Sequence, residues 1–385
     1  MAVSGQTSEY LIVLLRCAMN DLTPPDIPEG VSWHEVFRLS LKHSVSALAL
    51  YALRDCTEKI DADILEKWQE QYDKCLIKSG NQQFERTVIC KALEAAGIAH
   101  MPLKGSSLCH LLRVPELREM SDLDILIPRE DMEKACRVLC ENGYTQGMDN
   151  GNHVIFTKLP YLCIELHRDL ISENYEFYSI FRDPWQYCTP KDGSLCYEMR
   201  WEDFYLFLLT HAAKHYYYRG TGIRSVIDVY LFLREYGSEL DEEYLDSRIT
   251  IDELRFFRKR IEALAEVWFG ADTADSRDVE EMAFYIVNGA TYGTKNGYQV
   301  SYIRAKVHEG RSLSCARVSL FLRMAFLPRC EMVPMYPSLE KIPILLPFCW
   351  VHRWFRILFR KPGSIGERYR SVKAITYEKK RVGGE

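Results

Sequence analysis

The sequence predicts an α+β fold in which a compact α/β core lies between helical regions. Residues 82–170 alternate segments of helical period with short apolar runs, the pattern of a sheet covered by helices. On either side, residues 33–80 and 201–269 carry apolar residues mostly at helical spacing. The expected division is an N-terminal helical region at 1–81, the α/β domain at 82–195, a helical domain at 196–300 and a basic, helical C-terminal region at 301–385.

Each element has its own warrant. WHEVFRLSLKHSVSALALYALR, from Trp33 to Arg54, reads as helix, and residues 61–80 continue in helix-forming Glu, Lys, Gln and Leu. NQQFERTVICKALEAAGIAH is a further helix pattern that Gly97 is placed to end. The period then changes. AHMPLKG reads as a short strand reaching Gly105, SSLCHLL as the start of a helix and LDILI as a second strand. REDMEKACRVLCENGY predicts an exposed helix closing at Gly143, and HVIFTK and YLCIELHRDL predict strands joined by a Leu-Pro turn. Helical spacing returns in EDFYLFLLTHAAKH, GIRSVIDVYLFLREYG and IDELRFFRKRIEALAEVWFG.

Composition narrows the function classes. A chain of 385 residues, 47% hydrophobic and 27% charged, predicts two or three folded domains rather than disorder. The N-terminal apolar run is only LIVLL before Arg16, and the longest in the tail is the ten residues 342–351, interrupted by prolines. Neither suits a secretory leader or a membrane span, so a cytoplasmic location is expected. Thirteen cysteines without CxxC or Cys/His ligand spacing are expected to be reduced thiols, with no zinc site among them. The net charge of −5 is uneven. Residues 301–385 hold 17 basic against 6 acidic side chains, leaving the first 300 strongly acidic. The reading is that the basic tail docks on the protein's own acidic body, with an anionic partner as the alternative and no stable nucleic-acid complex.

The chemistry is suggested by EMSDLDILIPRED. Strand residues i and i+2 share a face, so Asp122 and Asp124 project together while Leu123, Ile125 and Ile127 point into a core. Two close carboxylates repel each other, and a divalent cation relieves the conflict. Glu165, in CIELH, repeats the arrangement of an acid between apolar neighbours. Together the three acids suit Mg²⁺ or Mn²⁺, which take oxygen ligands and phosphates. Alone, a D-x-D at a strand end is more often a solvated pair. In MPLKGSSLCHLL, Gly105 lets the backbone turn tightly, Ser106 or Ser107 caps the following helix, and Lys104 adds positive charge, a combination suited to a triphosphate. Gly and Ser are also ordinary helix-start residues, and neither a P-loop nor GxGxxG is present.

The order apolar strand, Gly105-Ser106, helix, Asp122-Leu123-Asp124-Ile125, then Ile164-Glu165-Leu166 resembles the DNA polymerase β-like nucleotidyltransferase superfamily. LKGSSL, Arg118 before SDLDILI, the GY closing the next helix and IELH resemble its bacterial branch of uncharacterised nucleotidyltransferases. The resemblance covers residues 82–170 well and the flanks loosely. It implies a mixed sheet with flanking helices and a metal-dependent transfer of a nucleoside monophosphate from an NTP, such as ATP, to an acceptor hydroxyl, releasing pyrophosphate. Under it, Asp122 and Asp124 bridge the metals and the triphosphate. Glu165 holds the catalytic metal and helps deprotonate the acceptor, and Gly105 with Ser106 binds the β/γ-phosphates.

Further candidates lie in the second helical stretch. His211 and His215 are four apart on one helix face with Lys214 beside them. The resemblance suggests contacts to nucleotide or acceptor there, although a core-edge histidine pair is the commoner case. Arg224 and Asp228 are spaced for an intrahelical salt bridge, Arg118 is placed behind the aspartates, and the YYY of 216–218 suits packing between helices. Two other functions compete: a D-x-D nucleotide-sugar glycosyltransferase, against which only one strand precedes the motif, and a non-catalytic binding protein of the same shape.

Overall fold

The computed structural model describes residues 5–173, 175–218, 220–270, 279–289, 312–327, 329–332, 335–336 and 338–360. The expected α+β fold is present: helices surround a five-stranded mixed sheet. The chain divides into two compact units, residues 1–216 with 221–292, and residues 217–220 with 293–385.

The first unit begins with α1 (Gly5–Asn20), α2 (Trp33–Lys42) and α3 (Ser46–Ala52). One helix was expected over 33–54, but Ser44 takes a positive φ of 52° and divides it. The break is fixed by His43, whose imidazole is buried between the Val287 carbonyl at 3.0 Å and the Ile223 backbone N–H at 3.3 Å. Helix α4 (Ala62–Ala95) then runs through 34 residues. The expected boundary at 81 falls inside it. The two helical patterns expected over 61–80 and 81–100 join into one, and at the join Ser79 donates to the Arg118 carbonyl and Gln82 is fully buried.

The sheet order is β1-β2-β5-β4-β3, from β1 (Met101–Pro102), β2 (Leu123–Leu126), β5 (Leu162–His167), β4 (His153–Lys158) and β3 (Thr145–Asp149). Only β2 and β5 pair in parallel, with Asp124 opposite Glu165. Strand β3 was not expected: TQGMD is exposed throughout and has no apolar alternation to reveal it. Between β1 and β2 lie the four-residue α5 (Gly105–Leu108) and two 3₁₀ turns. Helix α6 (Met132–Glu141) leads into β3.

The two faces of the sheet differ. One carries Leu123, Ile125, Val154, Phe156, Ile164 and Leu166, packed against Ile89 and Leu93 of α4 and Ala135 and Leu139 of α6. Burying each large apolar side chain there contributes about 1.5–3 kcal/mol. The alternation that fills this core sends Asp122, Asp124, Glu165 and His167 to the other face.

Beyond the two-stranded β6 (Cys188–Pro190) and β7 (Tyr197–Met199) come α7 (Trp201–Tyr218), α8 (Ile223–Tyr236), α9 (Glu242–Arg248), α10 (Asp252–Phe269) and α11 (Glu280–Asn288). Helix α1 closes the C-terminus of α10: Arg16 donates to the Val267 and Trp268 carbonyls and Asn20 to that of Phe269, carbonyls that otherwise lack helical partners. Tyr216 packs between Phe257 and Tyr285, the helix-packing role expected of the tyrosine run.

In the second unit, the helices Leu313–Ala325 and Leu346–Arg360 meet where Arg353 is buried and donates to the Met324 and Ala325 carbonyls. Residues 361–385, with much of the expected basic tail, lie outside the described residues. Among the described residues no helix is long and apolar enough to cross a membrane.

Candidate active site

The polar face of the sheet gathers its side chains through strand register. Asp124 on β2 and Glu165 on β5 are direct neighbours across the parallel pair, and Asp122 precedes Asp124 on the same face. One imidazole joins two of the acids: His167 Nε2 lies 2.7 Å from Asp124 Oδ1 and 3.3 Å from Glu165 Oε2. The other Asp124 oxygen is 3.2 Å from Lys104 Nζ.

These contacts separate the acids electrostatically. Burial favours a neutral Asp124, but the Lys104 ammonium and the His167 hydrogen bond outweigh it and hold the carboxyl well below its usual range. Burial and the neighbouring Asp124 charge instead push Asp122 up to about 6. Glu165 is drawn down, the His167 hydrogen bond overcoming burial, while His167 is raised by its two carboxylate partners against burial. Lys104 and Arg224 offset only part of this cost to the Asp122 charge, and the oxygen donors on this face suit a hard divalent cation such as Mg²⁺.

The glycine segment is built differently from the expectation. Lys104, not Gly105, takes the strained turn, at φ 47° and ψ −120°. Gly105 is needed for a close approach: a Cβ there would overlap the Arg118 guanidinium. The Ser106 hydroxyl donates to the Leu103 carbonyl at 3.0 Å and that of Ser107 to Pro102 at 3.2 Å, while Arg86 binds the Ser106 carbonyl. Both hydroxyls thus stabilise the turn, and Ser106 is buried.

Arg118 and Asp228 form a buried, two-pronged ion pair, at 3.1 and 2.7 Å, that ties this turn to α8. The expected Arg224–Asp228 bridge gives way to it. Arg224 donates to the Glu119 carbonyl at 2.6 Å, and its charge also reaches Asp122. The Glu119 side chain accepts from the Ala47 N–H at the start of α3. The 15 residues between Ser106 and Asp122 are therefore anchored to α3, α4 and α8. On α7, His211 and His215 face each other at 3.1 Å. Burial and the charges of Lys104, Lys214, His215 and His167 keep His211 neutral, which puts this helix within electrostatic reach of Lys104 and His167.

Sequence reasoning missed His153 and His167. His153 Nε2 is 3.5 Å from Glu165 Oε2, and the two imidazole rings are 4.9 Å apart. The signal was available: His167 follows Glu165 by two residues, the same step that relates Asp122 to Asp124. An open recess of about 520 Å³ lies on the other side of the sheet against α6, where Arg168 is already paired with Asp149. It holds none of these groups.

No curated protein and no solved structure matches the chain. The model of a family described as uncharacterised nucleotidyltransferases matches residues 29–270, more than half of the chain, and the protein belongs to that family.

Proposed function

We propose that the protein transfers a nucleoside monophosphate from an NTP to an acceptor hydroxyl on a small molecule, a protein or an RNA end, with release of pyrophosphate. The observation that carries this reading is the register of β2 and β5, which sets Asp124 beside Glu165 with Asp122 on the same face. Mg²⁺ bound there would neutralise the triphosphate and polarise the α-phosphate.

The residues of the chain divide the remaining work. Asp122 and Asp124 would hold such a cation against the donor phosphates, and the burial and like charge that raise Asp122 would favour its binding. Glu165 orients the acceptor and takes the hydroxyl proton as the oxygen bonds to the α-phosphorus. The bond from that phosphorus to the bridging oxygen breaks, and pyrophosphate leaves. Lys104, beside Asp124, is placed to move its ammonium onto the phosphates, with the Gly105–Ser107 backbone around them. His211, Lys214, His215 and Arg224, on the helices that follow, would meet nucleotide or acceptor.

The test is transfer of label from α-³²P-NTP with Mg²⁺, using candidate acceptors and the protein itself. Asp122→Asn and Asp124→Asn are expected to lower the rate at least 10³-fold, about 4 kcal/mol of barrier, with the circular dichroism spectrum unchanged. Undiminished transfer in both variants would sink the reading.

A further inference from the structure

The histidines beside Glu165 are unused by the transfer chemistry, and their arrangement is specific. His153 opens β4, His167 closes β5, and the two are register partners across the antiparallel pair, with Glu165 two residues before His167 on the same face. Their ligand atoms converge: Glu165 Oε2 lies 3.5 Å from His153 Nε2 and 3.3 Å from His167 Nε2, and all three fall within 4.8 Å of one another. We propose that His153, Glu165 and His167 bind a divalent transition-metal ion of the zinc type.

The spacing argues for that class of ion. A tetrahedral ion with bonds of about 2.0–2.1 Å has ligand-to-ligand edges of roughly 3.3–3.4 Å, whereas an octahedral Mg²⁺ with similar bonds requires about 2.9–3.0 Å. The donors agree, since imidazole nitrogen suits zinc and its neighbours while Mg²⁺ takes oxygen. The Asn150 side-chain oxygen accepts from the Asn152 and His153 backbone N–H groups, which leaves its amide nitrogen to donate to His153 Nε2 at 2.9 Å. That hydrogen bond marks the nitrogen as unprotonated, and an ion binding there takes its single lone pair in place of the Asn150 amide. His167 is 5% exposed, and its Nδ1 is buried without a hydrogen-bond partner, so the hydrogen bonds that hold the ring act through the nitrogen facing the site. The ion takes the place of the proton that His167 Nε2 shares with the carboxylates, and that proton is released. Asp124, already 2.7 Å from the same nitrogen, is the nearest further oxygen.

The proposal shares Glu165 with the transfer reading but requires neither nucleotide nor turnover. Metal-stripped full-length protein is titrated calorimetrically with ZnCl₂ in millimolar MgCl₂, and separately with CoCl₂ while the visible spectrum is recorded. The wild type is expected to bind one Zn²⁺ that Mg²⁺ does not displace, and to give the intense visible band of tetrahedral Co²⁺. His153→Ala, which retains every cysteine and so controls for thiol binding, should weaken Zn²⁺ at least 100-fold and lose the band. Asp122→Asn, which removes no proposed ligand, should bind Zn²⁺ within threefold of wild type even though it is expected to abolish transfer. Equal Zn²⁺ affinity in wild type and His153→Ala would overturn the assignment. So would displacement by Mg²⁺, or a loss in Asp122→Asn as large as in His153→Ala. Transfer assayed with Mg²⁺ stands or falls separately.

Discussion

Asp122 and Asp124 are two residues apart on one face of the sheet, yet their surroundings drive them in opposite directions. Asp124 has Lys104 on one oxygen and His167 on the other, while Asp122 has burial and a like charge. A carboxyl whose folded pKa is raised to about 6 gives stability that is present below its unfolded value and lost as pH rises through 6. Asp122→Asn should therefore stabilise the metal-free protein at pH 8 by about 1–2 kcal/mol, read as a higher denaturation midpoint, while abolishing transfer. A lower midpoint would mean that Asp122 is compensated. The acids were legible from alternation and apolar flanks alone. Of their histidine partners, His167 was legible by the same two-residue step from Glu165, whereas His153 was not, because a histidine in a strand carries no sign of which strand will lie beside it.

At the level of elements, the segment between Ser106 and Asp122 is held by a buried ion pair as well as by buried apolar residues such as Leu108 and Leu117. A Cβ at Gly105 would strike the Arg118 guanidinium, which is buried and fixed by Asp228. Gly105→Ala should cost about 3–5 kcal/mol, the scale of breaking a buried pair, and Asp228→Asn should cost less in that background than in wild type. Additive denaturation energies would show that the two sites are independent. The break between α2 and α3 makes a second prediction. Burial pushes His43 down to about 4. A histidine with a depressed folded pKa gives stability that is present above its unfolded value near 6.5 and lost as pH falls toward 4. Stability should decline by up to about 3 kcal/mol across that window, and His43→Gln should flatten the decline. An identical pH profile in the variant would exclude His43 as the cause. Neither device was readable in advance. Arg118 and Asp228 stand 110 residues apart, and the partners of His43 come from α8 and the end of α11.

At the scale of the whole molecule, the family match at 29–270 falls almost wholly within the first compact unit. A chain ending at residue 292 should thus keep its secondary structure and a single cooperative melt, whereas Phe156→Ala in its core should cost about 3–5 kcal/mol. Aggregation of the shortened chain at low concentration would show that the second unit completes the first. The fold class was legible because the switch from helical spacing to short apolar runs is a local property of 82–170. The division into units was not: α1 closes α10 across some 250 residues, a contact that no sequence period announces.

One feature of the turn before α5 bears on the origin of the protein's stability. Lys104 occupies a backbone region that only glycine enters without penalty, about 1–3 kcal/mol for any other residue. The chain therefore carries an energetic debt at the spot where its ammonium meets Asp124. Replacing Lys104 with glycine would release that tension while deleting the charge, and alanine would delete the charge alone. Comparing the melting of the two variants would separate the geometry of the bend from the electrostatics of its side chain.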